Sequence, residues 1–102
     1  MATTWNLKNV QVYNTLDGNS DVIYLVNYNV TATDGNGSVY VLPKEATIDT
    51  SSITDFVPFA DLTEAIVIGW VETDLGTDGV AAIDQEAEDA LSNMLNTSVK
   101  TL

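Results

Sequence analysis

Asp21–Thr33, DVIYLVNYNVTAT, is the one long uninterrupted run in the chain that must form a strand. β-Branched and aromatic residues dominate it, with no Gly or Pro inside. Because side chains alternate across a strand, Val22, Tyr24, Val26, Tyr28 and Val30 share one face. Ile23 and Leu25 lead the other face, followed by Asn27, Asn29 and Thr31. One face is thus apolar along its length and the other only at its start. A small domain can bury the first; the second calls for a cover.

Upstream, Trp5 and Leu7 alternate with Thr4, Asn6 and Lys8, and then Val10 and Val12 take over in the opposite phase. A one-residue slip within an extended run predicts a β-bulge or bend near Lys8–Asn9. Asn14–Ser20, NTLDGNS, predicts a hairpin loop into the long strand. Downstream, Asp34-Gly35-Asn36-Gly37 is a compact turn whose glycines accept positive φ. Ser38–Leu42 returns as a third strand that Pro43 ends, since proline cannot donate to a ladder. Ala46–Asp49 is a candidate short fourth strand. Ile53, Phe56, Val57 and Phe59 are candidate plugs anchoring a loop onto the core, with Pro58 holding Val57 extended.

Two helices are predicted to follow. Thr63 is an N-cap with Glu64 in the first turn. Ile66, Val67, Trp70 and Val71 form a stripe that Leu75 extends, and Gly76 is placed as a stop. A second helix begins near Asp78–Val80, with Val80, Ile83, Ala87, Leu91, Met94 and Leu95 at 3-4 spacing. The predicted fold is a single α+β domain over residues 1–102. Residues 1–60 are mostly β, an antiparallel meander of three or four strands, and residues 61–96 hold two helices packed on one face.

Composition narrows the function classes. The 102 residues hold fifteen acids against three lysines (Lys8, Lys44, Lys100), with no Arg, His or Cys, a net charge of −12. Nine of the acids and one lysine fall within residues 61–102. A nucleic-acid reader needs a basic footprint and an anionic membrane attracts basic segments, so both partners are excluded. The apolar runs are far shorter than the ~20 residues of a membrane span. MATTWNLKN lacks the pattern of a signal peptide, so a soluble, unsecreted protein is expected. The charge fits solvated faces, or a partner with a basic surface.

Without His or Cys, acid–base chemistry would fall to carboxylates, and these lie in turns or on polar helix faces. Asp17-Gly-Asn19-Ser-Asp21 and Asp34-Gly-Asn36-Gly-Ser38 match the first ligand positions of an EF-hand loop. The sixth position, which needs Gly, holds Val22 or Val39, and the flanks are strands. Neither a metal nor a cofactor nor a small-molecule substrate is expected, and no enzymatic activity. Trp5 and Trp70 are expected in the core.

A Trp-led first strand, the stretch DVIYLVNYNVTATDG, and FVPFADLTEAIVIGWV together resemble small uncharacterised proteins of tailed bacteriophages of marine bacteria. In those, F-x-x-[FY]-x-x-L-T-E precedes an apolar helix containing W-V, as Phe56, Phe59, Leu62, Thr63, Glu64, Trp70 and Val71 do here. The resemblance implies a viral setting and supplies no activity. Combined with the second sheet face, it leads to the expectation of a virion structural protein made in the host cytoplasm. The form expected is a small capsid decoration (cement) protein. Its partner would be the major capsid protein, another virion protein or a further copy of itself, as a homo-oligomer. The partner-facing residues expected are Trp5, Leu7, Ile23, Leu25, Val39 and Val41. The alternative expectation is an acidic mimic of nucleic acid that inhibits or regulates a host protein.

Overall fold

A computed structural model describes residues 1–16, 18–48, 58–98 and 100–101. Three antiparallel strands, β1 (Ala2–Leu16), β2 (Asn19–Thr33) and β3 (Val39–Thr47), form one sheet in the order β1-β2-β3. A 3-10 turn at Phe59–Asp61 leads into α1, Glu64–Leu95, which packs on one side of the sheet. The fold is α+β.

The hairpin joining β1 and β2 is tighter than the loop predicted over Asn14–Ser20. Leu16 already pairs with Asn19, and Gly18 takes φ 81°. The second turn is built as its residues predict. Gly35 and Gly37 take positive φ, and the Asp34 carboxylate accepts the amides of Asn36 (2.8 Å) and Ser38 (3.1 Å). Those amide hydrogen bonds hold the Asp34 pKa below the usual carboxylate range. A depressed folded-state pKa means the contribution is present above the ordinary range and lost as pH falls through the folded value. Asp34→Ala therefore lowers the melting temperature at pH 7, and its gap to the parent closes as pH falls through the lowered Asp34 pKa. A gap unchanged by acid would contradict this role.

Two bulges organise the long hairpin. Leu7 pairs with Tyr28 and Asn9 with Asn27, so Lys8 is the extra residue in β1, at the predicted slip. Gln11 pairs with Leu25 and Val12 with Ile23, which leaves Tyr24 as an extra residue in β2. The second bulge cancels the first, and the register returns to its starting offset.

Pro43 does not end the third strand. It pairs with Asn29 inside β3, which runs on to Thr47, so Ala46 and Thr47 extend β3 and do not start a fourth strand. β3 is an edge strand, where the missing N–H faces away from β2 and costs no ladder bond. Ile53, Phe56 and Val57 lie outside the described residues. Phe59, expected as a plug, is exposed.

Two separate helices were predicted, but the chain forms one helical element of 32 residues, kinked at Gly76 (φ 73°, ψ 173°). This conformation is essentially glycine-only. Gly76 interrupts the helical geometry where a stop was predicted, and Thr77 resumes the helix at once. The Thr63 hydroxyl caps the N-terminus, accepting the Ile66 amide at 3.3 Å. The buried stripe is Val67, Ile68 and Val71 before the kink and Ala87 and Leu91 after it. Ile66, Met94 and Leu95, expected within the stripes, are exposed.

The core lies between α1 and one sheet face. Val26, Val30, Ala32, Val71, Ala87 and Leu91 are fully buried, and Tyr28 is nearly so. Trp5, Leu7, Val10, Val12, Tyr40 and Leu42 pack against them from the same face. The molecule is elongated, 61 × 30 × 21 Å. Its radius of gyration of 17.0 Å compares with about 13 Å for a compact chain of this length.

Candidate interface on the uncovered sheet face

Register decides which side chains share a side, because directly paired residues project to the same face. Val26, Tyr28 and Val30 face α1, and with them their partners Val10, Leu7, Trp5, Ala46, Lys44 and Leu42. The opposite face carries Asn27, Asn29, Thr31 and Thr33 of β2. Beside them stand Asn9, Asn6 and Thr4 of β1, and Glu45, Pro43, Val41 and Val39 of β3.

The Tyr24 bulge settles where the sequence-predicted interface residues go. By restarting the alternation, it puts Ile23 on the helix side, 6% exposed and within the core. Leu25, Val39 and Val41 stand on the uncovered side, whereas Trp5 and Leu7 lie under α1. The six therefore do not form one surface. Strict alternation had placed Ile23 beside Leu25, and the bulge separates them. It also moves Tyr24, which strict alternation grouped with Val26 and Tyr28, to the uncovered side, where its hydroxyl donates to Gln11 Oε1 at 2.8 Å.

Three groups make up this face. At the hairpin end, Tyr13 stacks on Tyr24 with ring centroids 4.5 Å apart, beside Leu25 and the buried Val22. In the middle, Asn27 Nδ2 donates to Asn9 Oδ1 at 2.7 Å, with Asn29 next along the strand. At the far end, Val39 and Val41 are about half exposed. Sequence reasoning missed Tyr13 and Tyr24; a second phase slip at Tyr24 was the signal, hidden because VIYLV is apolar in either phase.

The helix side is different in kind. Trp5 Nε1 donates to Asp84 Oδ1 at 2.7 Å and the Thr3 hydroxyl to the same oxygen at 2.9 Å. Trp5 also stacks on Tyr28, centroids 5.3 Å apart. Burial, with the nearby Glu86 charge second, raises the Tyr28 pKa. Lys44 pairs with Glu86 at 2.9 Å. This cluster pins the second half of α1 to the sheet. α1 carries eight acids and no base, all exposed or half-exposed.

Among the described residues one apolar concavity, about 130 Å³, lies between Leu7, Val10, Ile23, Phe59, Leu62 and Val67. Among the described residues no group of three or more His, Cys, Asp or Glu side chains converges as a metal site. No helix among them is long and apolar enough to cross a membrane.

A one-sided α+β sheet, with a weakly charged face that no described element covers, defines a small protein whose distinctive surface is the one α1 leaves bare. The chain belongs to the family described as Domain of unknown function (DUF7936), whose model matches residues 1–101. No curated protein and no solved structure matches it.

Proposed function

We propose that the chain is a non-enzymatic structural protein of a bacteriophage virion, a small capsid decoration protein held by protein–protein contacts. The observation that carries this is the sheet's uncovered face. Tyr13, Tyr24, Leu25, Val39 and Val41 stand on it, with no layer of the described chain above them. Among the described residues the outer edges of β1 and β3 have no partner strand, so a neighbouring strand can bond there. Repetition of such contacts over a shell converts weak individual binding into firm attachment. The resemblance to proteins of marine phages supplies the setting. Quantitative peptide mass spectrometry of purified particles tests the proposal. It should find the chain at a copy number comparable to the shell protein, and absence or trace amounts would refute it.

A second reading, an acidic mimic that occupies a basic host protein, is favoured by the eight acids and missing bases of α1. It requires binding that weakens steeply as salt rises, because exposed charges are screened.

A further inference from the structure

We infer that the uncovered sheet face is occupied by a second copy of this chain, in a two-fold dimer with the sheets face to face and the helices outermost. This rests on reading that face as an interface, as above, but not on the virion setting.

Three features single out a second copy. The first is where the charge lies. Glu45, the one acid at a paired position of the described strands, faces the uncovered side, whereas α1 carries eight acids. Face-to-face packing, with the sheets about 10 Å apart, keeps the two acidic helices on opposite outer surfaces, two sheets away from each other. An edge-to-edge pairing would instead bring them side by side, at a repulsive cost.

The second is area. The chain exposes 6726 Å², against about 5,600 Å² for a compact monomer of its mass. A stable interface of standard size takes about 800 Å² from each partner. A strand of 15 residues spans about 50 Å, so the face is long enough for such a footprint.

The third is that the face is complementary to itself. Its aromatic group, Tyr13 with Tyr24 and Leu25, and its aliphatic group, Val39 with Val41, lie toward opposite ends of β2. The Asn9–Asn27 pair and Asn29 stand between them. A two-fold axis in the plane between the sheets, crossing the strands near Asn27 and Asn29, lays each aromatic group over the other copy's valines. The asparagines then meet their own equivalents, and an amide is both donor and acceptor, so it can bond to a copy of itself. An isologous interface requires this kind of match. With the faces joined, the outer edges of β1 remain open for other contacts.

Analytical ultracentrifugation of the purified chain tests the inference. At tens of micromolar the chain should sediment as a dimer. Raising NaCl from 50 to 500 mM should tighten the dimer several-fold, because salt screens the repulsion between two chains of charge −12. Leu25→Glu and Val41→Lys should each give folded monomers by circular dichroism, and mixing the two should restore a heterodimer. Ile66→Glu and Leu95→Glu, exposed apolar positions on α1, should leave the dimer intact. A wild-type chain that stays monomeric to 200 µM overturns the inference, as does a dimer indifferent to both sheet-face variants. If the Leu25 and Val41 variants unfold, Tyr13→Lys, at an exposed position, takes their place with the same expected loss of dimer. A monomer abundant in particles would refute the dimer and leave the virion proposal standing; a dimer missing from particles would do the reverse.

Discussion

Tyr28→Ala lowers the unfolding free energy by about 3–5 kcal/mol in urea denaturation, as loss of a buried aromatic does. Domains of this size are stable by only about 5–15 kcal/mol, so the variant sits near the limit of folding. The size of the effect comes from position. Tyr28 is 2% exposed on the central strand, at the Lys8 bulge, with Trp5 stacked on its ring. Its removal opens a cavity at the crossing of β1, β2 and α1, and Trp5 loses its stacking partner. Tyr28→Phe keeps the ring and should cost less than about 1.5 kcal/mol. Leu95→Ala, at an exposed position on the same fold, should stay within about 0.5 kcal/mol of the parent. A Tyr28→Ala loss below about 1 kcal/mol would show that the core lies elsewhere.

The second large effect is expected at Asp84. Its Oδ1 accepts both the Trp5 indole N–H and the Thr3 hydroxyl, the hydrogen bonds that tie α1 beyond its kink to the start of β1. Asp84→Ala leaves the indole donor unpaired beneath the helix and should cost about 1.5–3 kcal/mol, the range for a hydrogen bond to a charged group. Trp5 emission should shift to the red as the helix loosens and water reaches the ring. Asp84→Asn keeps an acceptor oxygen and should recover a large part of the loss. Equal stability of Asp84→Ala and the parent would mean that apolar packing alone docks this half of α1.

How far the residues foretold this fold can be read at particular positions. The Lys8 bulge was legible because its flanks are unambiguous: Trp5 and Leu7 are in one phase, Val10 and Val12 in the other, with polar residues between. The Tyr24 bulge was not. Val22 through Val26 is apolar without a break, so either phase satisfies the pattern, and only pairing with β1 selects one. That single hidden residue moved Ile23, one of the six expected interface residues, into the core and Tyr24 out of it. Pro43 misled for a different reason. The rule against proline in a ladder holds for central strands, and sequence alone does not say that β3 is an edge. Gly76 was rightly singled out as a break, but a glycine-only conformation bends a helix as readily as it ends one. Thr63 and Asp34 were legible because a cap and a turn depend only on neighbours in the chain.

The sheet's two-sidedness is the claim on which the rest depends, and the absence of cysteine allows it to be tested by thiol labelling. Single Ile23→Cys, Leu25→Cys and Val41→Cys variants would be treated with maleimide as dilute free chain, in urea, and within purified particles. The thiols at 25 and 41 should react in the free chain and become protected in the particle, while the thiol at 23 reacts only in urea. A thiol at 25 as unreactive in the free chain as that at 23, or one equally reactive in the particle, would contradict the account.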